Sequence, residues 1–243
     1  MDNQRWMRRN RMGGSLTVRC GHAWQQIIRQ RRTQFDEHPE YLALRPTGDD
    51  APATRGGSKF CVTNPEVVRL CPDYALVYFE RKLDEDMVSM VPSDGGGHCT
   101  CADCLQFGPI PERVHWLTNE VAKAVAERYP NRYVGTLAYN VHSEPPGFRL
   151  EPNVYVQITA GFTRGKYTFE ELLDVWAEHA SELGIYEYLD VWAWSRNLPG
   201  AARGTDVAYI SEQIPHYAAH GATSMSCEAS AAYATNALGY LVE

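Results

Sequence analysis

Two carboxylates that end apolar segments are the residues of this sequence best suited to chemistry. Asp94 ends the segment DMVSMVPSD (86–94), and the three glycines after it let a ligand approach the backbone closely. Glu228 lies near the end of the segment ATSMSCEAS (222–230). Hydrolysis of a glycosidic bond needs two carboxyl groups, about 5–5.5 Å apart when configuration is retained and about 6.5–9.5 Å apart when it is inverted. Asp94 and Glu228 are therefore our candidate catalytic pair.

Both carboxylates also have structural interpretations, which the sequence leaves open. An aspartate before glycines is typical of a turn cap, and Glu228 precedes a predicted helix, whose dipole favours an acid in its first turn. Two further acids are weaker candidates. Glu144 follows the segment YVGTLAYN, and Asp190 lies inside YEYLDVWAW, where the acids of a barrel often form interior salt bridges.

Side chains suited to sugar binding stand at or near the ends of several apolar segments. Aromatic faces cover the apolar side of a sugar ring, and polar groups bind its hydroxyls. The candidates are His22, Trp24, Tyr139, Asn140, His142, Glu144, Trp192 and Trp194. Any one of them alone is more typical of a core residue, but their joint occurrence at several segment ends favours a carbohydrate ligand.

A group of cysteines shortly after Asp94 predicts a metal site. The C-x-C-x2-C motif and the histidine beside it could give one zinc ion three thiolates and a fourth ligand. These residues are His98, Cys99, Cys101 and Cys104. Alternatively, Cys61 or Cys71 completes the site, or pairs with one of the three in a disulfide. Seven cysteines is an odd total, which argues against an extracellular disulfide framework. A structural zinc is our hypothesis, and no other cofactor is expected.

Apolar segments that alternate with helical patterns must position these residues. The predicted strands are 15–24, 86–94, 133–140, 153–161, 186–194 and 222–230. Strands that alternate with helices imply parallel βαβ units with right-handed crossovers. No GxGxxG follows the first strand and no GxxxxGK[ST] occurs, so a nucleotide-binding sheet is disfavoured. We expect a (β/α)8 TIM barrel that is incomplete, with about six βα units and the first one or two strands missing.

Helical spacing of apolar residues marks the connections. Residues 168–183 carry one apolar stripe, and Thr168 with Glu171 forms a capping box. Further helices are predicted over 65–83, where Pro72 is a potential break, and over 112–129, 205–219 and 229–241. Residues 36–64 are predicted as a long loop.

Length and charge limit the function classes. With 243 residues, 44% of them hydrophobic, the chain is expected to form a single domain. The net charge of −7 disfavours nucleic-acid binding, and no segment has the ~20 apolar residues of a membrane span. The first residues lack the apolar core of a secretory signal. We therefore expect either a cytoplasmic chain or one whose true N-terminus is missing, in which case it is secreted or periplasmic.

Five motifs together resemble a known family. They are GHAW (21–24), HPEYLALRPTG (38–48), FCVTNPEV (60–67), PSDGGGHCTCADC (92–104) and TLAYNVHSEPP (136–146). In this order they resemble domain of unknown function family 4838, over roughly residues 5–240. That family is grouped with TIM-barrel glycoside hydrolases and is distantly similar to alpha-glucuronidases and beta-N-acetylhexosaminidases.

The resemblance implies a glycoside hydrolase that acts on a polysaccharide or a uronic-acid-containing glycan. It places Asp94 at the tip of the fourth strand, where the similar glycosidases keep their general acid. At the end of its own strand, Glu228 could serve as the partner in the role of base, of nucleophile or of acceptor for a sugar hydroxyl. The sequence carries one acid in SDG where the hexosaminidases carry an adjacent acidic pair, which puts a substrate-assisted acetamido mechanism in doubt. The alternative is a non-catalytic carbohydrate-binding barrel.

Overall fold

Seven strands and seven α-helices follow one another in the part of the chain that this computed structural model describes, residues 16–48, 51–190 and 206–229. The strands are β1 Leu42–Arg45, β2 Thr54–Phe60, β3 Met87–Ser89, β4 Tyr133–Asn140, β5 Val154–Thr163, β6 Glu182–Asp190 and β7 Ala222–Ala229. The helices are α1 Trp24–Gln30, α2 Arg32–Glu37, α3 Pro65–Arg81, α4 Ala102–Phe107, α5 Ile110–Arg128, α6 Phe169–His179 and α7 Val207–Ala219.

A five-stranded parallel half-barrel replaces the predicted (β/α)8 TIM barrel. The strands β3 to β7 pair in chain order, each parallel to the next. Helices connect β3 to β4, β5 to β6 and β6 to β7, but the described connection from β4 to β5, residues 141–153, contains no helix. The expectation of about six βα units is therefore wrong, because one predicted strand does not form and one crossover is irregular.

Residues 16–23 run beside β3 without forming the predicted first strand. They make one isolated parallel bridge, between His22 and Val91. The backbone N–H of Thr17 donates instead to the side chain of Asp86, at 3.0 Å. Backbone N–H groups of this segment thus bond to side chains, and no continuous ladder of backbone hydrogen bonds forms between the segment and β3.

An antiparallel hairpin, β1 and β2, lies within residues 36–64, where the sequence predicted only a loop. Leu42 pairs with Phe60 and Arg45 pairs with Thr54, with an irregular register between them. The glycines of β2 obscure its strand pattern in the sequence, since glycine is depleted in strands. Phe60 stacks on Trp24 of α1 with ring centroids 4.6 Å apart, which joins the hairpin to the core.

The four predicted helices that lie within the described residues form, with changes at their ends. The Thr168 hydroxyl accepts from the Glu171 N–H and the Glu171 carboxylate accepts from the Thr168 N–H, so the capping box is confirmed. Pro72 lies inside α3 without ending it. Helix α6 stops at His179, because the residues from Glu182 onward belong to β6. The predicted helix over 229–241 extends beyond the described residues.

The two faces of the sheet differ in chemistry because neighbouring side chains of a strand point in opposite directions. One face packs against the helices and is apolar, for example Val156, Ile158 and Ile185. The other face carries Tyr155, Gln157, Tyr186, Tyr188 and Ser226. Within the described ranges, no helix has the length and apolarity that crossing a bilayer requires.

Candidate functional site

A cavity of about 520 Å³ opens on the polar face of the sheet, toward the carboxyl ends of the strands. Its size is that of a small-molecule site. Two carboxylates and four aromatic side chains line it: Asp94, Glu228, Tyr139, Phe162, Tyr186 and Tyr188. Residues that are 134 positions apart in the chain thus meet at one site.

Asp94 is held in its ionised form by two hydrogen bonds. Its Oδ1 accepts from the backbone N–H of Gly95 at 2.7 Å and from the hydroxyl of Tyr139 at 3.0 Å. These bonds, together with the charges of His22 and Lys59, lower the pKa of Asp94 below its usual value. Asp94 is therefore a carboxylate at neutral pH.

A buried lysine fixes the backbone at Asp94. Lys59 of β2 is 2% exposed, and its ammonium donates to the carbonyl oxygen of Ser93 and, at 3.3 Å, to that of Asp94. Burial lowers the pKa of Lys59 to about 8. The hydroxyl of Ser93 returns a bond of 2.8 Å to the carbonyl of Ser58. The hairpin therefore positions the loop that carries Asp94.

Glu228 reaches the same cavity from β7. Its Oε2 accepts a long hydrogen bond, 3.4 Å, from the hydroxyl of Tyr186. Burial, the hydrogen bond and charge of Asp94 and the charge of Glu228 together raise the pKa of Tyr139 to about 12. Because both carboxylates contribute to the raised pKa of the Tyr139 phenol, they belong to one electrostatically connected site.

A bulge between β4 and β5 directs aromatic rings into the cavity. The pairing of these strands shifts between Ala138 and Asn140, and Asn140 and Phe162 have φ angles of 50° and 58°. Positive φ is strained for residues other than glycine, and such strain is common near functional sites. The Phe162 ring lies 6.1 Å from that of Tyr139 and 5.4 Å from that of Tyr188, and it is 51% exposed.

Four cysteines form a second cluster. The sulfur atoms of Cys61, Cys99, Cys101 and Cys104 all lie within 4.8 Å of one another. Cys61 follows β2, the next two lie in the loop after Asp94, and Cys104 belongs to α4. Of the two residues that the sequence offered to complete the motif, Cys61 joins this cluster, whereas Cys71 is buried in α3 outside it.

Residues 2–241 match the family model described as Domain of unknown function (DUF4838). The chain belongs to this family. In structure, this DUF4838 protein is similar to a beta-N-acetylhexosaminidase from Bacteroides fragilis NCTC 9343, with a TM-score of 0.45 and 13% sequence identity. The match covers 66% of this chain and 32% of that one, so this chain spans less than two thirds of its structural relative. No curated protein matches the chain.

Two of the predicted sugar-binding residues of this DUF4838 chain, His22 and Tyr139, line the cavity. Trp24 is 1% exposed, and its indole N–H donates to the carbonyl of Met90 at 2.8 Å, as expected of a core residue. His142 is buried behind Tyr139, with ring centroids 6.1 Å apart.

Three other described candidates, Glu144, Asn140 and His98, do not line the cavity. The carboxylate of Glu144 accepts from the backbone N–H of Lys166 at 2.6 Å, which is a loop-stabilising contact. Asn140 lies at the bulge. Asp190 ends β6, and Trp192 and Trp194 lie outside the described residues. His98 is half-buried beside Trp24 and does not join the sulfur cluster.

Sequence reasoning missed Gln157, Phe162, Tyr186 and Tyr188 as cavity residues. Tyr186 and Tyr188 alternate in YEYLD, and this period of two was the available signal for one shared face. Phe162 carried no such signal, because it faces the cavity only through the bulge.

Proposed function

We propose that this protein binds a glycan in the cavity between Asp94 and Glu228 and hydrolyses it. The observation that carries the proposal is the meeting of two carboxylates from distant segments with four aromatic rings in one cavity. Aromatic faces suit the apolar side of a sugar ring, and paired carboxyl groups suit cleavage of its glycosidic bond.

The two carboxyl groups take different roles in this proposal. A general acid must hold a proton before it reacts, but the hydrogen bonds to Asp94 favour its ionised form. We assign Asp94 the role of the carboxylate that activates water or stabilises the positive charge developing on the sugar. Proton donation to the leaving group then falls to Glu228. This assignment reverses the roles that the family resemblance implies.

A neutral glycan fits the cavity better than a uronic acid does. Recognition of a sugar carboxylate favours a bidentate arginine or a lysine. Among the described residues that line the cavity, none is a lysine or an arginine. The ammonium of Lys59 is already directed at the carbonyls of Ser93 and Asp94. The lining offers Gln157, Ser226 and tyrosine hydroxyls, which suit uncharged sugar hydroxyls.

Hydrolysis of aryl glycosides of neutral hexoses, N-acetylhexosamines and glucuronic acid tests the proposal. The full chain should hydrolyse a neutral glycoside, and Asp94→Asn should lose turnover by at least about a hundredfold, as expected for a removed catalytic base. Asp73→Asn is the matched control, since Asp73 is an exposed carboxylate on α3 that pairs with Arg69.

Binding of the matching oligosaccharides, measured by calorimetry, separates the two function classes. Asp94→Asn should still bind the glycan. If the wild-type chain binds glycans but hydrolyses none of the glycosides, the proposal of hydrolysis is overturned. The protein would then be a non-catalytic carbohydrate-binding protein. Full turnover by Asp94→Asn would overturn the catalytic assignment.

A further inference from the structure

The sulfur cluster has the dimensions of a tetrahedral metal site. Four thiolates that bind one zinc ion at about 2.3 Å have sulfur atoms roughly 3.8 Å apart. The sulfur of Cys61 lies 3.6 Å from that of Cys101 and 3.9 Å from that of Cys104. All four sulfur atoms lie within 4.8 Å of one another.

Hydrogen-bond donors point at the cluster from the surrounding chain. The backbone N–H of Leu44 lies 3.2 Å from the sulfur of Cys99, and the guanidinium of Arg55 lies 3.9 Å from it. The hydroxyl of Thr63 lies 3.2 Å from the sulfur of Cys104. A shell of donors and one positive charge is what bound thiolates require, because their negative charge exceeds that of the ion.

Disulfide bonding explains the cluster less well than a metal does. A disulfide needs two sulfur atoms about 2.05 Å apart, and it would leave the other two thiols of the cluster without a role. Here Cys61 approaches two different partners about equally, at 3.6 and 3.9 Å. Convergence of four sulfur atoms on one point is typical of tetrahedral coordination.

We propose that Cys61, Cys99, Cys101 and Cys104 together bind one structural Zn²⁺ ion. The site requires no activity of the cavity and does not rest on the proposed hydrolysis. Its fourth ligand is the Cys61 thiolate, which replaces His98, the neighbour that the sequence suggested.

The ion would clamp the hairpin to the loop that carries Asp94. Cys61 directly follows β2, whereas Cys99 and Cys101 follow Asp94 by five and seven positions. The same two segments already meet where Lys59 donates to the carbonyl of Ser93 and where the N–H of Thr100 donates to that of Leu44, at 2.7 Å. The metal therefore adds a further connection between the hairpin and this loop.

Metal analysis of the purified full chain is the first test. We expect about one zinc per chain by plasma mass spectrometry, and a fall in the thermal unfolding midpoint when a strong chelator removes it. After exchange with Co²⁺, the wild-type protein should show the intense visible bands of tetrahedral thiolate-bound cobalt. Zinc content near zero, iron in its place, or a mass lower by two hydrogens for a disulfide would each overturn the assignment.

Single substitutions test the ligand set. Cys61→Ser should lower the zinc content and weaken the cobalt bands. Cys71→Ser is the control, because Cys71 is equally buried but lies outside the cluster, so it should keep the metal even if the protein becomes less stable. Equal zinc content in Cys61→Ser and Cys71→Ser would remove Cys61 from the site. If Cys61→Ser does not fold, the wild-type zinc and cobalt measurements still decide whether the site exists.

Discussion

The hydroxyl of Tyr139, at the end of β4, donates a hydrogen bond of 3.0 Å to Oδ1 of Asp94 in the loop after β3. This contact is one cause of the lowered pKa of Asp94, after the bond from the Gly95 N–H. It also keeps the Asp94 carboxylate turned toward the rings that line the cavity.

Tyr139→Phe should therefore shift the pH dependence of hydrolysis. Without the donor, the pKa of Asp94 rises toward its usual value, because less of the carboxylate charge is stabilised. If Asp94 reacts in its ionised form, the acidic limb of the kcat/KM profile moves to higher pH. Tyr74→Phe in α3 is the control and should leave the profile unchanged. A shift of the basic limb instead would make Asp94 the acid.

Phe162 has both a strained backbone conformation and an exposed ring. Its φ of 58° costs about 1–2 kcal/mol for an L-residue, and glycine relieves this cost. We expect Phe162→Gly to unfold at a similar or higher temperature than the wild type, yet to bind an oligosaccharide about tenfold more weakly, because a stacking face is lost.

Leu83→Ala provides the comparison for Phe162→Gly. Leu83 is 71% exposed and lies between α3 and β3, away from the cavity lining, so its removal should leave glycan binding unchanged. Unchanged affinity in Phe162→Gly, measured by calorimetry, would remove Phe162 from the binding surface.

Gly184 makes room for a side chain that crosses the sheet. The hydroxyl of Tyr155 on β5 passes over Gly184 on β6 to hydrogen-bond Ser224 on β7, and a Cβ at position 184 would overlap the tyrosine oxygen. Gly184→Ala should lower the free energy of unfolding by about 1–3 kcal/mol, as overpacking does in cores. Urea denaturation measures this loss.

A double substitution tests the cause of that loss. Tyr155→Phe removes the oxygen that the new methyl group would meet, so Gly184→Ala should cost less in the Tyr155→Phe background than in the wild type. Equal costs in the two backgrounds would show that the tyrosine oxygen is not the obstacle.

The parallel strands after residue 85 could be predicted from the sequence because they are apolar and bounded by turn residues. Strand β4 was located residue for residue, at 133–140. The hairpin could not be predicted, because the glycines of TRGGSKF hide its alternation and its pairing depends on contacts with α1. The strand predicted over residues 15–24 does not form. The sequence could not show this, because it depends on a tertiary contact, the hydrogen bond from the N–H of Thr17 to Asp86.

The candidate site could be predicted only in part. Asp94 and Glu228 were predicted to share one site because Asp94 follows a strand and Glu228 lies near the end of another, and parallel strands bring their carboxyl ends to one edge. Burial of Trp24 and His142 could not be foreseen, since a residue at a strand end can turn inward as readily as toward the cavity. Phe162 depended on a bulge that no spacing rule reveals.

Two buried histidines should make the protein sensitive to acid. His115 and His142 are 0% and 3% exposed, with ring centroids 6.2 Å apart, near His98 and Trp176. Burial lowers the pKa of His115 to about 4 and that of His142 well below its usual value. The neighbouring histidines and Lys59 lower the pKa of His142 further.

The direction of the pH effect follows from these lowered pKa values. In the unfolded chain a histidine takes up its proton near pH 6.5, whereas the folded protein resists protonation until much lower pH. The stability that the neutral form contributes is therefore complete above about pH 6.5 and is lost progressively as the pH falls toward 4. At pH 5, His115 should cost about 2 kcal/mol of unfolding free energy. His142 acts in the same direction.

His115→Gln tests this pH dependence. The glutamine amide can replace the ring Nε2–H, which donates to the carbonyl of His142 at 3.0 Å, but it cannot take up a proton. Urea denaturation between pH 8 and pH 5 should show a smaller loss of unfolding free energy for His115→Gln than for the wild type. Identical slopes below pH 6.5 would mean that His115 is not protonated on unfolding in this range, and the acid sensitivity would then have another source.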